Sequence, residues 1–561
     1  MFCISVSHPS LEMGSNDDWS YAFSARVLAG TGHIVYNGWA TVILGWQLYW
    51  GALFIKIFGF SFFILRISTS ILAIVSLALL QRIFVRLGIN TWNSTIATLS
   101  VAFSPVFFVL GFSFMSDIPG LFCLLVCLYL CIRALQSSSA RESIYWLAVA
   151  ALSNVVLGTV RQSSWLGALV LVPSAAWCLR RRRGVPIAGV ALWCVSALLI
   201  AFCMHWFKTQ PYSIEEKLFA SSDGATMQRA FGECVRSLFS ICFFLLPVFI
   251  AFIARFPFHL RMARVMAIGT AAGLLLGVKL HTVDWRQGLS WPFTMNAFTE
   301  KGFNDFQAAL GERASIFDFP ERTALTLVIF VSLTSVVVCL WNAGRLNAIT
   351  PEGKGVSDSP PESVSWSTLV VLLAPFSVIY LFLLVTRIYL WDRYLLPLLP
   401  VVLIFLLRFF QEKLARRLHG VTLAALLMFA IFDTAALHDY FSQGRARLQA
   451  ASQLQALGVP RREINAGFEY IGWTQLELTG YVNDKRLHNP PGAYQPWVRP
   501  ANLRQECELF FSDRTPAVVG RYAVSYSPTP CLTSVEGAPP VHYKTWLRPH
   551  DQAIYTGILL P

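Results

Sequence analysis

Charge is scarce in this chain. Lys, Arg, Asp and Glu make up 13% of its 561 residues, against 55% hydrophobic residues, and the mean hydropathy is positive. That balance excludes a soluble globular protein and describes a polytopic membrane protein. A Gly-rich nucleotide-binding loop is missing, which argues against chemistry on a nucleotide phosphate. No His/Asp/Glu cluster has metal-ligand spacing, so no metal ligand is named; a divalent cation beside the acids is left open. No internal repeat occurs, low complexity is confined to the Pro-, Ser- and Glu-rich stretch 351–364, and residues 1–16 carry neither a membrane anchor nor a recognisable signal peptide. Acids are outnumbered by bases, 31 to 44, for a formal charge of +13. The excess lies in short loops between apolar runs, which makes it a topology signal and not a nucleic-acid footprint.

What the chain does have is apolar runs long enough to cross a hydrocarbon layer of roughly 30 Å. They recur at about 61–81, 93–111, 118–135, 143–160, 163–179, 186–206, 235–254, 264–280, 323–342, 366–386, 394–408 and 419–437, or about twelve spans. Basic residues fill every second connection: Arg82 and Arg86, Arg133 and Arg141, Arg180 to Arg183, Arg255 to Arg264, Arg345 and Lys354, and Arg408 to Arg417. Those connections are expected on the cytoplasmic side. Residues 1–60, the segments around Asp117 and Arg161, the loop 281–322, the connection 387–393 and the tail after 437 then share the opposite, extracytoplasmic face of the inner membrane.

Most cysteines lie in or at the ends of spans, where Cys acts as a small apolar residue, and the four-residue spacing of Cys123, Cys127 and Cys131 reads as packing on one helix face. Cys507 and Cys531, the pair in the tail, are expected to form a disulfide in an oxidising compartment. The tail is rich in Gly, Pro and polar residues and reads as a small α/β domain over 438–561, with a helix near 440–457. The expected organisation is a first loop with interfacial helices (1–60), a transmembrane domain (61–437) and this C-terminal domain.

The acids converge on the extracytoplasmic face: Asp17 and Asp18 before the first span, Asp117 before the third, Asp284 after His281, and Asp392 beside Arg393. An ionised Asp at a helix centre costs about 2.5–3.5 kcal/mol on insertion scales, so such acids belong at the membrane lip or in a wet cavity with partners. Helix capping accounts for Asp117, two residues before Pro119, and the acid pair can start a helix over Trp19–Leu28. Capping needs only one carboxylate, however, and adjacent acids raise each other's pKa, which suits a base near neutrality. Trp39, Trp46 and Trp50, spaced by seven and four, are expected along one side of an interfacial helix with Tyr49 beside them. His33, Tyr36, Asn37 and Gln47 offer polar groups to a hydrophilic substrate. Arg161, Arg387 and Arg393 run against the positive-inside trend; each alone could snorkel to headgroups, but several cations opposite several carboxylates suit an anionic lipid phosphate beside a base.

The order of these segments carries a resemblance. Asp17-Asp18-Trp19-Ser20-Tyr21, Leu53-Phe54-Ile55-Lys56-Ile57-Phe58-Gly59, Arg66, Ser116-Asp117-Ile118-Pro119 and Asp392-Arg393-Tyr394-Leu395-Leu396-Pro397 resemble the GT-C glycosyltransferases over about residues 14–437. Within that superfamily the chain is most similar to the bacterial group related to protein O-mannosyltransferases and lipid A aminoarabinose transferases. The resemblance implies transfer of a hexose or pentose from a polyprenyl-phosphate donor to a lipid, glycan or protein acceptor. It implies that Asp17 or Asp18 is the base, that Asp117 orients the acceptor or assists, and that Arg161, with Arg393, holds the donor phosphate; His33, Tyr36 and Gln47 would line the substrate site. It also implies a first helix upstream of residue 1, and it pairs the first acid with Glu where this chain has Asp18. A transporter or lipid flippase is the competing class and predicts midplane charges and repeated halves; a non-catalytic scaffold predicts that the acids are dispensable.

Overall fold

The structure, a computed structural model, describes residues 8–215, 224–256, 264–265, 267–269, 271–272, 296–304, 309–346, 364–386, 390–499, 504–547 and 551–560. Most of the expected span at 264–280, together with His281, Asp284, Arg286, Arg387 and residues 351–363, lies outside the described residues.

Backbone crossing hydrocarbon must satisfy its N–H and C=O groups internally, so the apolar runs become helices. Helices α1 (Asp18–Thr31) and α2 (Gly45–Phe58) precede the long α3 (Phe62–Arg86). Next come α4 (Thr91–Ala102) and α5 (Pro105–Gly111), bent by 67°. Pro105 has no N–H to continue the ladder, and the chain restarts on the hydroxyl of Ser104, which accepts from the Phe107 N–H. After these the chain forms α6 (Asp117–Gln136), α7 (Ala140–Leu157), α8 (Val172–Cys178) and α9 (Val185–Thr209). Beyond a second bent pair, α10 (Gly224–Phe244) and α11 (Leu246–Ile253), come α12 (Phe319–Leu346), α13 (Trp366–Val385), α14 (Leu398–Phe409), α15 (Gly420–Ala456) and α16 (Phe468–Thr479).

Among the described residues seven helices, α3, α6, α7, α9, α12, α13 and α15, are long and apolar enough to cross a membrane, or up to nine if each bent pair is one span. The chain is a mostly helical, multi-pass membrane protein. Two of the twelve expected spans are interrupted where chemistry-bearing residues fall. The 163–179 segment breaks into 3-10 and π turns after Arg161, and the 394–408 segment opens with a 3-10 turn at Asp392–Leu395. In α6, 72% of the span is buried, against 17% in α9, which puts α6 at the centre of the bundle and α9 on its rim.

Two expectations change. The helix near 440–457 is not separate from the last span: α15 runs unbroken over 37 residues, about 55 Å at 1.5 Å per residue, and so projects well beyond a 30 Å core. Trp39 lies outside α2, in the irregular segment between α1 and α2, where Gly32 and Gly38 take φ of 78° and 77°. A side chain at Gly38 would also meet the Val482 carbonyl at 2.6 Å.

A hairpin, β1 (Phe298–Thr299) and β2 (Gly302–Phe303), precedes α12. The C-terminal region carries β3 (Ile464–Asn465), β4 (Tyr522–Ser525), β5 (Leu532–Ser534), β6 (Val541–Tyr543) and β7 (Gln552–Leu559), in the order β3-β4-β7-β5 with β6 also on β7. β3 and β4 are parallel and the other pairs antiparallel. Cys507 and Cys531 form the expected disulfide, in a small core with Leu310, Leu509 and Ala523.

Arg66 ties these parts together. Fully buried near the start of α3, it donates to the carbonyls of Pro9, Leu11 and Met13 and lies 5.2 Å from the Phe441 ring centre of α15. Replacing Arg66 with Met strands three buried acceptors, each costing about 1–3 kcal/mol. A clearly lower melting temperature in detergent and faster proteolysis near residues 8–17 are expected. An unchanged melting temperature would contradict this reading of the clamp.

Candidate active site

Asp17 and Asp18 adjoin at the start of α1, where successive residues point about 100° apart, so their carboxylates enter different surroundings. Asp18 is fully buried. Its Oδ1 accepts from the Ser15 N–H at 2.5 Å and its Oδ2 from the Phe114 N–H at 3.0 Å. The Phe114 carbonyl in turn accepts from Gln47 Nε2 at 3.0 Å. Asp18 and Gln47 thus fix the turn that leads into α6. Burial pushes the Asp18 carboxyl up to about 7, against the pull of Arg66 and the two N–H donors.

Asp17 sits at the rim of the core, with its side chain 14% exposed. Its Oδ1 accepts from the indole N–H of Trp39 at 3.0 Å and its Oδ2 from Arg393 Nη2 at 2.9 Å. Asp117, the first residue of α6, makes no capping bond and forms an ion pair with Arg161. Its second oxygen is buried and has no hydrogen-bond partner among the described residues. Arg161 occupies an extended residue between two 3-10 turns, Gly158–Val160 and Gln162–Trp165, which the interrupted helix supplies. Burial works against both guanidinium charges, but Asp117 and Asp17 override it and hold Arg161 and Arg393 above the usual arginine range.

The two ion pairs belong to one site. Both guanidiniums approach the Tyr394 ring, Arg161 at 4.8 Å and Arg393 at 5.5 Å from its centre. Asp392 orients this corner: its Oδ1 accepts from the N–H of Arg393 at 2.6 Å and of Ala297 at 3.0 Å, and its Oδ2 from that of Phe298 at 2.7 Å. It thereby fastens the β1–β2 hairpin beside the site. Burial raises the Asp392 carboxyl to about 7 against these three donors.

Tyr21 was given no role by sequence reasoning. It is buried, and its hydroxyl, whose ionisation burial suppresses, interacts electrostatically with Asp17, Arg393, Asp117 and Arg161. Its spacing of four from Asp17 places it on the same helix face, and that spacing is the signal that could have found it. Tyr394 was likewise quoted only as part of a motif.

The expected lining by His33, Tyr36 and Gln47 is revised. His33 is exposed beyond the end of α1, with its backbone N–H on the Thr31 hydroxyl. The Tyr36 hydroxyl donates to the Ile43 carbonyl at 2.8 Å, and its ring meets Phe207 edge-on at 4.8 Å in a separate apolar cluster. Gln47 holds Phe114. Tyr36, on an irregular segment, is drawn to that segment's own backbone, and Gln47, on α2, to the carbonyl of the turn before α6.

The raised carboxyls have a measurable consequence. Between about pH 4 and 7 folded Asp18 and Asp392 retain protons that the unfolded chain has lost, so stability falls as pH rises through that window. The melting temperature in detergent is expected to decline from pH 5 to pH 8, and to decline less steeply in Asp18→Asn. An equally steep decline in the variant would contradict the assignment to Asp18.

Residues 47–207 match the sequence model of the family described as dolichyl-phosphate-mannose-protein mannosyltransferase. No curated protein matches the chain significantly. Among solved structures, ArnT from Cupriavidus metallidurans in the apo state aligns at 13% identity over 99% of this chain and 97% of that one, with a TM-score of 0.39. The same protein bound to undecaprenyl phosphate gives 13%, 99%, 96% and 0.38. The Archaeoglobus fulgidus oligosaccharyltransferase gives 12% identity over 92% of this chain and 60% of that one, with a TM-score of 0.42. Structural likeness of that degree carries no weight; the family match does. Over residues 47–207 this multi-pass membrane chain carries the pattern of the family described as dolichyl-phosphate-mannose-protein mannosyltransferase.

Proposed function

We infer that the chain transfers a sugar, a hexose or a pentose, from a polyprenyl-phosphate donor to a lipid, glycan or protein acceptor at the extracytoplasmic face of the cell membrane. One observation carries the reading: two cations, Arg161 and Arg393, share the Tyr394 platform, and each already holds a carboxylate. Such a pair can exchange a carboxylate for a phosphate, whose oxygens a guanidinium matches equally well. In this reading residues 1–60 supply the base, 61–437 the donor site, and 438–561 a domain packed against both.

The chemistry follows from those groups. Donor phosphate takes Arg161 and Arg393, which releases the Asp17 oxygen that Arg393 holds at rest. Asp17 accepts the proton of the acceptor hydroxyl while the acceptor oxygen attacks the anomeric carbon. The carbon–oxygen bond to the phosphate breaks, and its electron pair remains on a phosphate oxygen that the two arginines stabilise. Asp117, freed on the other side, has an unpartnered oxygen with which to orient the acceptor. Among the described residues no three His, Cys, Asp or Glu side chains gather as a metal site.

Membranes containing the chain, supplied with radiolabelled polyprenyl-phosphate hexoses and pentoses, are expected to move label from at least one donor into a non-donor product. Absence of transfer from every donor, in membranes where the chain is folded, would contradict the reading.

A further inference from the structure

The base in this reading is held in part by the C-terminal region. Asp17 takes one donor from Arg393 and the other from Trp39. The Trp39 indole stacks on Trp19 of α1, with ring centres 6.0 Å apart. Among the described residues its other ring contacts come from beyond residue 460. Phe511 meets it edge-on at 4.8 Å, Phe468 of α16 at 5.8 Å, and the guanidinium of Arg514 lies 5.2 Å from its centre.

That support is built. Phe511 occupies a left-handed conformation, φ 74°, which a bulky residue takes only where its surroundings enforce it. It lies four residues after Cys507, whose bond to Cys531 fixes the segment to the sheet. Asp484, buried, pairs with Arg486 at 2.9 Å and with Arg514 at 3.8 Å, and Asp513 also lies 3.8 Å from Arg514. At Gly472 of α16 an added Cβ would fall 2.7 Å from the Trp19 ring, so only glycine lets α16 approach this stack. A cation over an indole withdraws electron density from the ring and strengthens its N–H as a donor.

Resting on the sugar-transfer reading above, we propose that Trp39, Phe511 and Arg514 are positioning residues for Asp17: the C-terminal region clasps the indole and so sets the orientation of the base. The charged or titratable groups around that base are Asp18 and Tyr21 on α1, Arg393 from the turn before α14 with Asp392 and Tyr394 beside it, Arg161 and Asp117 across the site, and Arg514, with Asp484 and Asp513 at its guanidinium, acting through the indole.

The test uses the full chain in detergent, with Trp39→Phe, Phe511→Leu, Arg514→Gln and Asp17→Asn. With 15N-labelled tryptophan, the indole N–H resonance lost in Trp39→Phe identifies Trp39 among the 18 tryptophans. That resonance is expected to shift in Asp17→Asn and in Arg514→Gln, a readout independent of any turnover. In transfer assays Trp39→Phe and Arg514→Gln are expected to move the acid limb of the kcat profile upward, by about one pH unit and by less than one unit respectively. Donor KM stays within about threefold, because both arginines remain. An unmoved resonance in Asp17→Asn and Arg514→Gln, or lowered kcat with an unmoved acid limb, would overturn the proposal. Arg514, a third exposed at its side chain, keeps the test valid if Trp39→Phe folds poorly. Failure of the parent to transfer sugar while the resonance still shifts would instead overturn the reaction and leave the clasp.

Discussion

Asp17→Asn is expected to reduce sugar transfer about 10³-fold in kcat, in the range for loss of a general base, with only a modest fall in melting temperature as Arg393 keeps a neutral amide for a partner. Asn keeps the shape and can still accept from Trp39, but it cannot take a proton. Asp18→Asn should behave in the opposite way. Its carboxylate is buried between Ser15 and Phe114, so the damage is to the turn that presents Asp117, and it should show first in stability and its pH dependence. Rates for both variants, each set against its own melting temperature, separate the two acids. If Asp18→Asn loses turnover at unchanged stability while Asp17→Asn does not, the roles are reversed.

The second large effect lies with the cations. Arg161→Met and Arg393→Gln are each expected to weaken transfer by about 10²–10³-fold, the scale for removing one donor from developing charge. The two should differ in kind. Arg161→Met leaves Asp117 buried with neither oxygen paired, so it should also destabilise the fold. Arg393→Gln leaves Asp17 with the Trp39 donor and some access to water, so it should fold well and lose donor affinity. Binding of a polyprenyl phosphate lacking sugar, measured in detergent, should fall in both. Undiminished binding in both would remove the phosphate from these arginines.

Charge near a membrane is conspicuous: Arg161 and Arg393 break an otherwise regular alternation of basic loops, and Asp117 stands alone before an apolar run, so each is a candidate without the fold, and the fold brings the three together around Tyr394. The choice within Asp17-Asp18 was not legible. Both residues satisfy the same composition and spacing, and only the rotation of α1 against the turn at Phe114 decides which carboxylate is buried. Trp39 was misread for a related reason: spacings of seven and four fit a helix, yet positive φ at Gly32 and Gly38 keeps the segment irregular. His33, Tyr36 and Gln47 were credited as lining because polarity was visible, whereas the backbone groups that occupy Tyr36 and Gln47 were not.

The fold shows the same limits. Composition changes near residue 438, where polar residues begin, and that suggested a boundary. The residues beyond it are still good helix formers, Ala, Leu, Gln and Arg, so α15 continues through. Spans with long uninterrupted apolar runs, such as α3 and α9, were readable to within a few residues. Those broken around Arg161 and Asp392 were not; at Asp392 the irregular turn is held by tertiary partners, the N–H groups of Ala297 and Phe298.

The arginines proposed to hold the phosphate, Arg161 and Arg393, and the proposed base, Asp17, are separate groups in one site. Purified Asp17→Asn loaded with a labelled polyprenyl-phosphate sugar, then given acceptor in a single turnover, tests this most directly. It should hold the donor at least as tightly as the parent, since no carboxylate competes for Arg393, and fail to discharge it, while the parent discharges it at once. Discharge by Asp17→Asn at the parental rate would contradict the account.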